Sequence, residues 1–439
     1  MRETGLTLAL HVPHPGHTPS DLTSFGHLPQ LRGGGDSRLS FNVVAMTQSS
    51  FESLYGFRRD EVRLANWRLA PWNLWAFRNV SELVPTAVIS AGFPPAETPD
   101  ADATGLLRES LTVAGERKTL AEILEQTSTD ALIAMKSGRF VADYHAADFT
   151  TANRHIVFSI SKSLTAILAG IAWDDRLLDP EAPITTYVPE VANSAYGDAT
   201  VRHILDMRMS LAFEENYLDT TGGFARYRRA TLWNPPELGQ PGETLLDFIA
   251  TMPKGAGDHG GPFRYRSPNS DLLGTVVERA TGQRYADFAS ARLWQPIEAR
   301  QDGYITVDAA GAPRAAGGVV VAARDLARVG EMMRLGGMID GRRVVSQAWV
   351  EDTTQRGDAE AWKQGDFSRL LADGRYRNKW YQTGFPSRAF FGIGIHGQWV
   401  YVNPKAEMVV VKMSSQPIPV DDPTDKLCLE LFEGLAAVI

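Results

Sequence analysis

The sequence predicts an α+β fold, in which an antiparallel sheet is flanked by N- and C-terminal helices and carries an inserted, mostly helical domain. Two observations predict it. Strand-like runs joined by turn residues occur towards both ends of the chain, whereas the middle contains helical patterns separated by loops rich in Gly, Pro and Asn. We therefore expect an α/β body built from residues 41–176 and 300–439, and a helical insertion at residues 177–299.

The first part of the body contains a hairpin and a strand–helix unit. The hairpin turns at Ser137-Gly138, a pair typical of such turns. In chain order, the predicted elements are a strand at 83–89 wrapped over the body, a helix at 119–126, strands at 131–136 and 139–145, a strand at 154–158 and an apolar helix at 160–172.

The insertion and the second part of the body follow the same logic. Helical spacing predicts the helices, and Gly336-Gly337 and Asp340-Gly341 mark an end and a turn. The predicted elements are helices at 201–207, 270–281 and 285–294, a sheet resuming near Gly303, an amphipathic helix at 325–335, strands at 398–402 and 408–413, and a helix at 425–437.

Composition excludes several classes of function. A net charge of −8 and a pI near 5.7 in 439 residues disfavour binding to a nucleic-acid backbone. The basic run Arg226-Tyr227-Arg228-Arg229 is interpreted as part of a solvated loop. Cys428 is the only cysteine, so the chain can form neither an internal disulfide nor a CxxC pair. Without an H-E-x-x-H or H-x-H pattern, we expect no metal and no cofactor.

No segment has the length of a membrane span or the features of a signal peptide, so we expect a cytoplasmic protein with no membrane partner. Residues 1–40 show little periodicity and include Gly33-Gly34-Gly35. They are expected to be a disordered N-terminal extension or the artefact of a mis-assigned start codon.

The chain contains one S-x-x-K pattern, Ser159 and Lys162. Positions i and i+3 share one face of a helix, so the hydroxyl and the amine can lie within hydrogen-bonding reach. A desolvated lysine can take the proton of a serine nucleophile, and a helix N-terminus favours developing negative charge. Alone the pattern is weak, because a surface serine and a solvated lysine match it equally well.

Two further segments can contribute chemistry. Tyr265, in Phe263-Arg264-Tyr265, precedes a predicted helix and could act as a phenolate-like base, if a nearby ammonium lowered its pKa, or as a proton relay. The alternative is a core aromatic. Residues 392–397, G-I-G-I-H-G, fall on a predicted strand, where alternate glycines indicate a bend or a close approach. The strand either points a backbone N–H at a substrate or is a twisted core strand.

These motifs, in this order, resemble the serine β-lactamase and penicillin-binding-protein superfamily, with its S-x-x-K, Y-x-N and K-T-G motifs. The resemblance extends from about Pro71 to the C-terminus and is closest to the 6-aminohexanoate-dimer (nylon oligomer) hydrolases, beside the β-lactamase-fold carboxylesterases. The supporting segments are S-I-S-K-S at 159–163, Y-R-S-P-N-S-D at 265–271, A-R-D-L-A-R-V-G at 323–330, G-I-G-I-H-G-Q at 392–398 and V-K-M-S-S at 411–415. The resemblance implies a β-lactamase/DD-peptidase-like fold.

The resemblance also implies roles for individual residues. Ser159 would be the acylated nucleophile, and Lys162 and Tyr265 would share the general-base and general-acid work. The backbone N–H groups of Ser159 and Ile395 would form the oxyanion hole. Tyr217 resembles a second tyrosine that contacts the scissile amide, the alternative being a packed loop aromatic.

Two departures from the superfamily motifs bear on the substrate. Ser267 replaces the asparagine of Y-x-N, and Gly392 replaces the lysine of K-T-G. Both losses speak against β-lactamase or peptidase action and favour simpler esters and amides. The segment 213–236, which carries Tyr217, Phe224, Tyr227 and Trp233, is either a lid over the cleft or a surface loop pinned to the helical domain.

The resulting hypothesis is a serine hydrolase that cleaves a small linear amide or ester through an acyl-enzyme, as a monomer or homodimer. The alternatives are a carboxylesterase with little amidase activity, or a catalytically silent ligand-binding member of the fold.

Overall fold

The structure is a computed structural model that describes residues 48–93, 99–239 and 241–439. The extension expected at residues 1–40 lies outside these ranges. The described residues cluster as one compact unit.

The strands form a seven-stranded sheet, a four-stranded sheet and two short hairpins. They are β1 (Thr86–Ile89), β2 (Ser110–Val113), β3 (Glu116–Thr119), β4 (Thr129–Lys136), β5 (Arg139–His145), β6 (Arg154–Ile156), β7 (Gly303–Thr306), β8 (Val319–Ala322), β9 (Met338–Ile339), β10 (Arg342–Arg343), β11 (Arg375–Arg377), β12 (Trp380–Gln382), β13 (Phe390–Gly394), β14 (Gln398–Asn403) and β15 (Met408–Ser414).

The helices of the described residues are mostly short. They are α1 (Gln48–Tyr55), α2 (Asn73–Ala76), α3 (Thr104–Leu107), α4 (Leu120–Gln126), α5 (Ile160–Asp174), α6 (Val201–Leu205), α7 (Gly223–Ala230), α8 (Leu245–Ala250), α9 (Pro268–Thr281), α10 (Tyr285–Ala289), α11 (Ala323–Arg334), α12 (Gln347–Gln355), α13 (Ala359–Lys363) and α14 (Asp422–Val438), with 3-10 turns at Arg59–Glu61, Val80–Glu82, Ile184–Thr186 and Pro189–Val191 and a π-helix at Ser290–Trp294.

The seven-stranded sheet is antiparallel in the order β11-β12-β13-β14-β15-β4-β5. Side chains alternate across a strand, so each face of the sheet builds its own core. On one face, Ile133 and Val411 pack with apolar side chains of α5 and α11. On the other, Leu132 and Val410 pack with α4 and α14. The sheet is therefore covered by helices on both faces.

The four-stranded sheet, in the order β1-β7-β8-β6, positions the start of α5. Strand β6 pairs antiparallel with β8, and the N–H of Val157 continues the pairing by donating to the carbonyl of Val319 at 3.0 Å. Every residue of α5 from Ile160 to Ala172 is buried, which explains why the helix is apolar from Ala166 to Ala172. The sheet edge and the buried helix together fix the turn between β6 and α5.

Most predicted elements of the body occur with shifted ends. The 131–136 and 139–145 hairpin, the strand pair near the C-terminus and the terminal helix are confirmed. Three predicted strands are shorter than expected. The strand predicted at 83–89 begins only at Thr86, after the 3-10 turn at Val80–Glu82. Residues 154–158 form a strand only to Ile156, because Phe158 has a φ of 43°. The strand predicted over residues 392–397 ends at Gly394, because His396 (φ 61°) and Gly397 (φ 85°) form a turn.

Between residues 177 and 299, the described part of the chain forms helices and contributes no strand to a sheet. The helix predicted at 285–294 begins as α10 and continues as the π-helix. The division into a body and an inserted domain stays a prediction. Strands β11 and β12 and helices α12 and α13 were missed, since each spans only three to nine residues.

Candidate active site

Ser159 lies at a sharp turn from β6 into α5. The preceding residue, Phe158, has a left-handed backbone conformation, which is rare for an aromatic residue. Residues 155–158 and Ile160 are buried, whereas Ser159 is partly exposed. The N–H groups of Ser161 and Lys162 donate to the carbonyls of Phe158 and Ser159, which begins the helix. The turn thus presents the Ser159 hydroxyl at the helix N-terminus.

Lys162 lies one turn further along α5 and is 2% exposed. Its Nζ is 2.8 Å from Ser159 Oγ and 2.6 Å from the carbonyl oxygen of Ala316. Burial lowers the pKa of Lys162 from 10.5 to about 7, although the nearby Glu215 carboxylate acts in the opposite direction. A neutral amine can donate an N–H to Ala316 and offer its lone pair to the Ser159 hydroxyl. Near neutral pH, Lys162 can therefore act as a base.

Tyr265 lies just before α9 and is 6% exposed. Its hydroxyl hydrogen-bonds with Ser159, and Lys162 Nζ is 4.9 Å from the centroid of its ring. Burial, followed by the charge of Glu215, raises the pKa of Tyr265. The phenol therefore stays protonated. Of the two roles considered from the sequence, the phenolate-like base is disfavoured and the proton relay is compatible with the structure.

The structure thus brings Ser159, Lys162 and Tyr265 together, although Tyr265 is more than 100 residues from the other two along the chain. The Ser159 hydroxyl is a hydrogen-bonding neighbour of both the amine and the phenol.

Ile395 lies at the end of β13, beside the nucleophile. At the neighbouring Gly394, an added Cβ would be 3.1 Å from the Ser159 nitrogen and 2.5 Å from the Val157 carbonyl oxygen. Only glycine allows this approach. In the described part of the chain, neither the Ser159 N–H nor the Ile395 N–H donates a hydrogen bond. Both residues line one cavity, so two free backbone donors are available to an oxyanion there.

Tyr217 lines the same cavity as Ser159. Its hydroxyl donates to a carboxylate oxygen of Glu215 at 3.1 Å, and the other oxygen accepts the Ser267 N–H at 2.7 Å. The Ser267 hydroxyl also donates to Glu215. Burial and the Glu215 charge raise the pKa of Tyr217, so its hydroxyl stays a donor. Glu215 was not identified from the sequence, and it links Tyr217 to the residue that replaces the motif asparagine.

A buried ion pair behind the site was also missed. Arg314 pairs with Asp271, and both contact the Tyr227 hydroxyl. The other oxygen of Asp271 accepts the N–H of Ala316 at 2.8 Å, which holds the carbonyl that binds Lys162. Asp271 thus positions Ala316, and through it Lys162. In the sequence, only the position of Asp271 within the motif at residues 265–271 could have indicated a role near the site, since Arg314 belongs to no motif.

The segment 213–236 forms a wall of the cavity through Glu215, Tyr217, Phe224, Arg228 and Trp233. It is also pinned on both sides. Trp233 donates to Thr306 Oγ1 at 3.1 Å, and Phe213 and Tyr227 pack against Phe248. The segment therefore lines the site and is anchored to the rest of the protein, and its role as a lid stays a prediction.

The basic run at residues 226–229 is not a solvated loop, and that interpretation was wrong. It lies on α7, where Tyr227 is buried and Arg228 lines the cavity, whereas Arg226 and Arg229 form ion pairs with Glu243 and Glu237. Because the run is helical, its side chains point in different directions: Tyr227 and Arg228 face the interior and the cavity, whereas Arg226 and Arg229 face the surface ion pairs.

Among the described residues, no group of three or more His, Cys, Asp or Glu side chains could hold a metal ion. Within the same ranges, every helix is too short or too polar to cross a membrane.

Comparison with known proteins identifies the family. Residues 117–429 match the family model for Beta-lactamase. The chain belongs to the β-lactamase family. A 6-aminohexanoate-dimer hydrolase from Paenarthrobacter ureafaciens is 40% identical over 370 residues, which cover 83% of this chain and 91% of that relative. The predicted family and α+β fold are confirmed, and this β-lactamase-family protein is a hydrolase.

Solved structures agree on the fold of this β-lactamase-family protein. A Bacillus anthracis protein assigned to the 6-aminohexanoate-dimer hydrolases superposes with a TM-score of 0.77 at 22% identity, covering 87% of this chain and 97% of that chain. A family VIII carboxylesterase superposes with a TM-score of 0.54 at 15% identity, covering 77% of this chain and 100% of that chain.

Proposed function

We propose that the protein hydrolyses small linear amides and esters through an acyl-enzyme formed on Ser159. One observation carries the proposal. A partly exposed serine at a helix N-terminus lies 2.8 Å from a buried lysine whose pKa is lowered to about 7, and a protonated tyrosine contacts the same hydroxyl. This arrangement supplies a nucleophile, a base and a proton donor without a cofactor.

Acylation follows from these positions. Lys162 takes the Ser159 proton as Oγ attacks the substrate carbonyl, and the tetrahedral oxyanion accepts hydrogen bonds from the Ser159 and Ile395 N–H groups. Tyr265 gives its proton to the leaving amine or alkoxide as the carbonyl–leaving-group bond breaks. The Lys162 ammonium then returns a proton to Tyr265. The products are an ester on Ser159 and the free amine or alcohol.

Deacylation uses the same groups in the reverse order. Water enters the place of the leaving group, and as it attacks the ester carbonyl Tyr265 accepts its proton while passing the phenol proton to Lys162. The second tetrahedral oxyanion accepts hydrogen bonds from the same two N–H groups, those of Ser159 and Ile395. When it collapses, the proton held by Lys162 returns to Ser159 Oγ, and the carboxylic acid is released. The enzyme is regenerated with a neutral amine.

The motif departures support a simple substrate. Gly392 has no side chain and cannot supply the positive charge of the K-T-G lysine. The Ser267 hydroxyl already donates a hydrogen bond to Glu215. The relative from Paenarthrobacter ureafaciens is named for a linear amide dimer. These points favour a linear amide or ester over a β-lactam or a peptide.

A fluorophosphonate probe tests the nucleophile. We expect one adduct on Ser159 by mass spectrometry, no adduct in Ser159→Ala, and a normal adduct in Ser137→Ala. Ser137 is a matched control because it is an exposed serine in the β4–β5 turn. Labelling at another residue, with activity intact in Ser159→Ala, would contradict the proposal. Absence of any labelling would favour a silent binding protein.

A substrate panel tests the reaction. We expect wild type, but not Ser159→Ala, to hydrolyse 4-nitrophenyl butyrate and a linear dimer of an ω-amino acid, and to leave a chromogenic cephalosporin nearly intact. Ester hydrolysis without amide hydrolysis would identify a carboxylesterase with little amidase activity.

A further inference from the structure

The charged side chains around the candidate nucleophile are mostly positive. The cavity that contains Ser159 is lined by three arginines and one carboxylate, namely Arg68, Arg228, Arg314 and Glu215. Arg314 is neutralised by the buried Asp271. Glu215 already accepts hydrogen bonds from Ser267 and Tyr217. Two guanidinium groups therefore remain without an ion-pair partner, and together with the Glu215 carboxylate they leave the cavity one net positive charge.

Arg68 has only neutral partners. It donates to the carbonyl of Trp233 at 2.8 Å and to the side-chain oxygen of Asn234 at 2.5 Å. Its guanidinium carbon lies 4.9 Å from the Trp67 ring centroid and 5.7 Å from that of Trp233. It forms no ion pair with a carboxylate in the described residues. Partly buried arginines usually have such a partner.

The hydrogen-bond acceptors of Arg228 are likewise uncharged. It donates to the backbone carbonyls of Tyr217 and Asp219, and its guanidinium lies 4.5 Å from the Phe224 ring centroid. The arginines on either side of Tyr227–Arg228, by contrast, pair with glutamates. Burial is the main cause that lowers the pKa of both Arg68 and Arg228, and in Arg68 the charge of Arg228 is the second. An anion beside both groups would relieve this repulsion.

We propose that Arg68 and Arg228 bind a carboxylate of the substrate, so that the preferred substrate is a linear amide or ester that also carries an acid group. The proposal deepens the hydrolase function above and rests on it. Planar guanidinium groups match a carboxylate geometrically, and among the described residues neither arginine has a side-chain carboxylate within ion-pair distance. The aromatic rings against both arginines hold them in place without competing for the anion.

Two ester pairs of matched length test the preference. The first compares mono-4-nitrophenyl glutarate with 4-nitrophenyl valerate, which places the carboxylate on the acyl side. The second compares 3-carboxy-4-nitrophenyl butyrate with 4-nitrophenyl butyrate, which places it on the leaving group. In wild type, kcat/KM for one of the anionic esters should exceed the neutral value after correction for intrinsic reactivity.

Variants assign the preference to the two arginines. In Arg68→Gln and Arg228→Gln, the ratio of anionic to neutral kcat/KM should fall about 10- to 100-fold, mostly through KM. Arg68→Lys should retain part of the ratio because it keeps the charge. Arg229→Gln is the matched control, since Arg229 lies on the same helix but pairs with Glu237, and its ratio should equal the wild-type value.

A binding experiment separates this proposal from the hydrolase function. Adipate should quench or shift the tryptophan fluorescence of Ser159→Ala, since Trp233 lines the cavity, and Arg68→Gln should weaken that binding at least tenfold. Failure of all esters to react, with adipate binding dependent on Arg68, would overturn only the hydrolase function. Equal anionic-to-neutral ratios in wild type and both glutamine variants, or adipate binding unaffected by them, would overturn the carboxylate site.

Discussion

The pH dependence of turnover tests the role of Lys162 directly. Its pKa is lowered from 10.5 to about 7 by burial in α5. At pH 7, about half of such a lysine is neutral, whereas about one in 3,000 would be neutral at the ordinary pKa. Burial thus increases the concentration of the base about 1,600-fold. The shift corresponds to roughly 5 kcal/mol of lost stability of the ammonium relative to the amine.

The assay is kcat/KM for 4-nitrophenyl butyrate between pH 5 and pH 9, read at the isosbestic wavelength of the product. We expect kcat/KM to rise about tenfold per pH unit below pH 7 and to level off above it, because only the neutral amine can accept the Ser159 proton. A profile that is still rising tenfold per pH unit at pH 9, or one that is flat between pH 5 and pH 9, would refute the assignment.

A charge variant tests whether the rise in kcat/KM below pH 7, the acidic limb of the profile, reflects the titration of Lys162. The Glu215 carboxylate stabilises the ammonium, so Glu215→Gln should move the limb to lower pH. Glu190→Gln is the control, since Glu190 pairs with Arg279 on the surface and should leave the limb unchanged. A limb that does not move in Glu215→Gln would assign the titration to another group.

Four substitutions give further tests. Gly394→Ala should lower kcat about 100- to 1,000-fold with a smaller change in KM, because its Cβ would displace the oxyanion donors; steady-state kinetics measures this. Tyr265→Phe should lower kcat about 100-fold or more while Tm changes little, since only a proton donor is lost; unchanged kcat would make the tyrosine structural. Asp271→Asn should lower the free energy of unfolding in urea by about 3–5 kcal/mol, because the buried Arg314 loses its partner. Lys162→Met should be more stable than wild type below pH 7. Because the folded pKa of Lys162 lies below its unfolded value, wild-type stability rises between about pH 7 and 10.5, and the difference should shrink by up to about 5 kcal/mol over that range.

The sequence predicted the elements whose patterns are local. The S-x-x-K spacing placed Ser159 and Lys162 on one face of a helix, and the alternate glycines indicated the close approach at Gly394. The structure places Tyr265 beside them, as the order of the motifs implied. The cytoplasmic location and the monomeric or homodimeric state stay predictions.

The charged wall of the cavity could not be predicted, since its residues come from segments without a shared pattern. Arg68 lies in the segment before β1, Glu215 and Arg228 come from one long segment, and Arg314 lies just before β8. Helical spacing could have separated Arg228 from its two neighbours, but only if α7 had been predicted. Which side of that helix faces Ser159 depends on tertiary packing alone.

The position of positive charge is what most separates this site from the superfamily pattern. At Gly392, even a Cβ would lie 2.9 Å from Ser163 Oγ and 3.1 Å from a methyl of Val400, so the structure has no room for the K-T-G lysine. Cationic side chains instead enter the cavity from Arg68 and Arg228, in segments outside the three motifs. A lysine on the strand beside the oxyanion hole would place an anion next to the reacting carbonyl. Arg68 and Arg228, which pack against Trp233 and Phe224, would instead place the anion beside an aromatic part of the cavity wall. The proposed site therefore still recognises an anion without the K-T-G lysine. It differs in the position along a flexible, linear substrate at which the substrate carboxylate must lie.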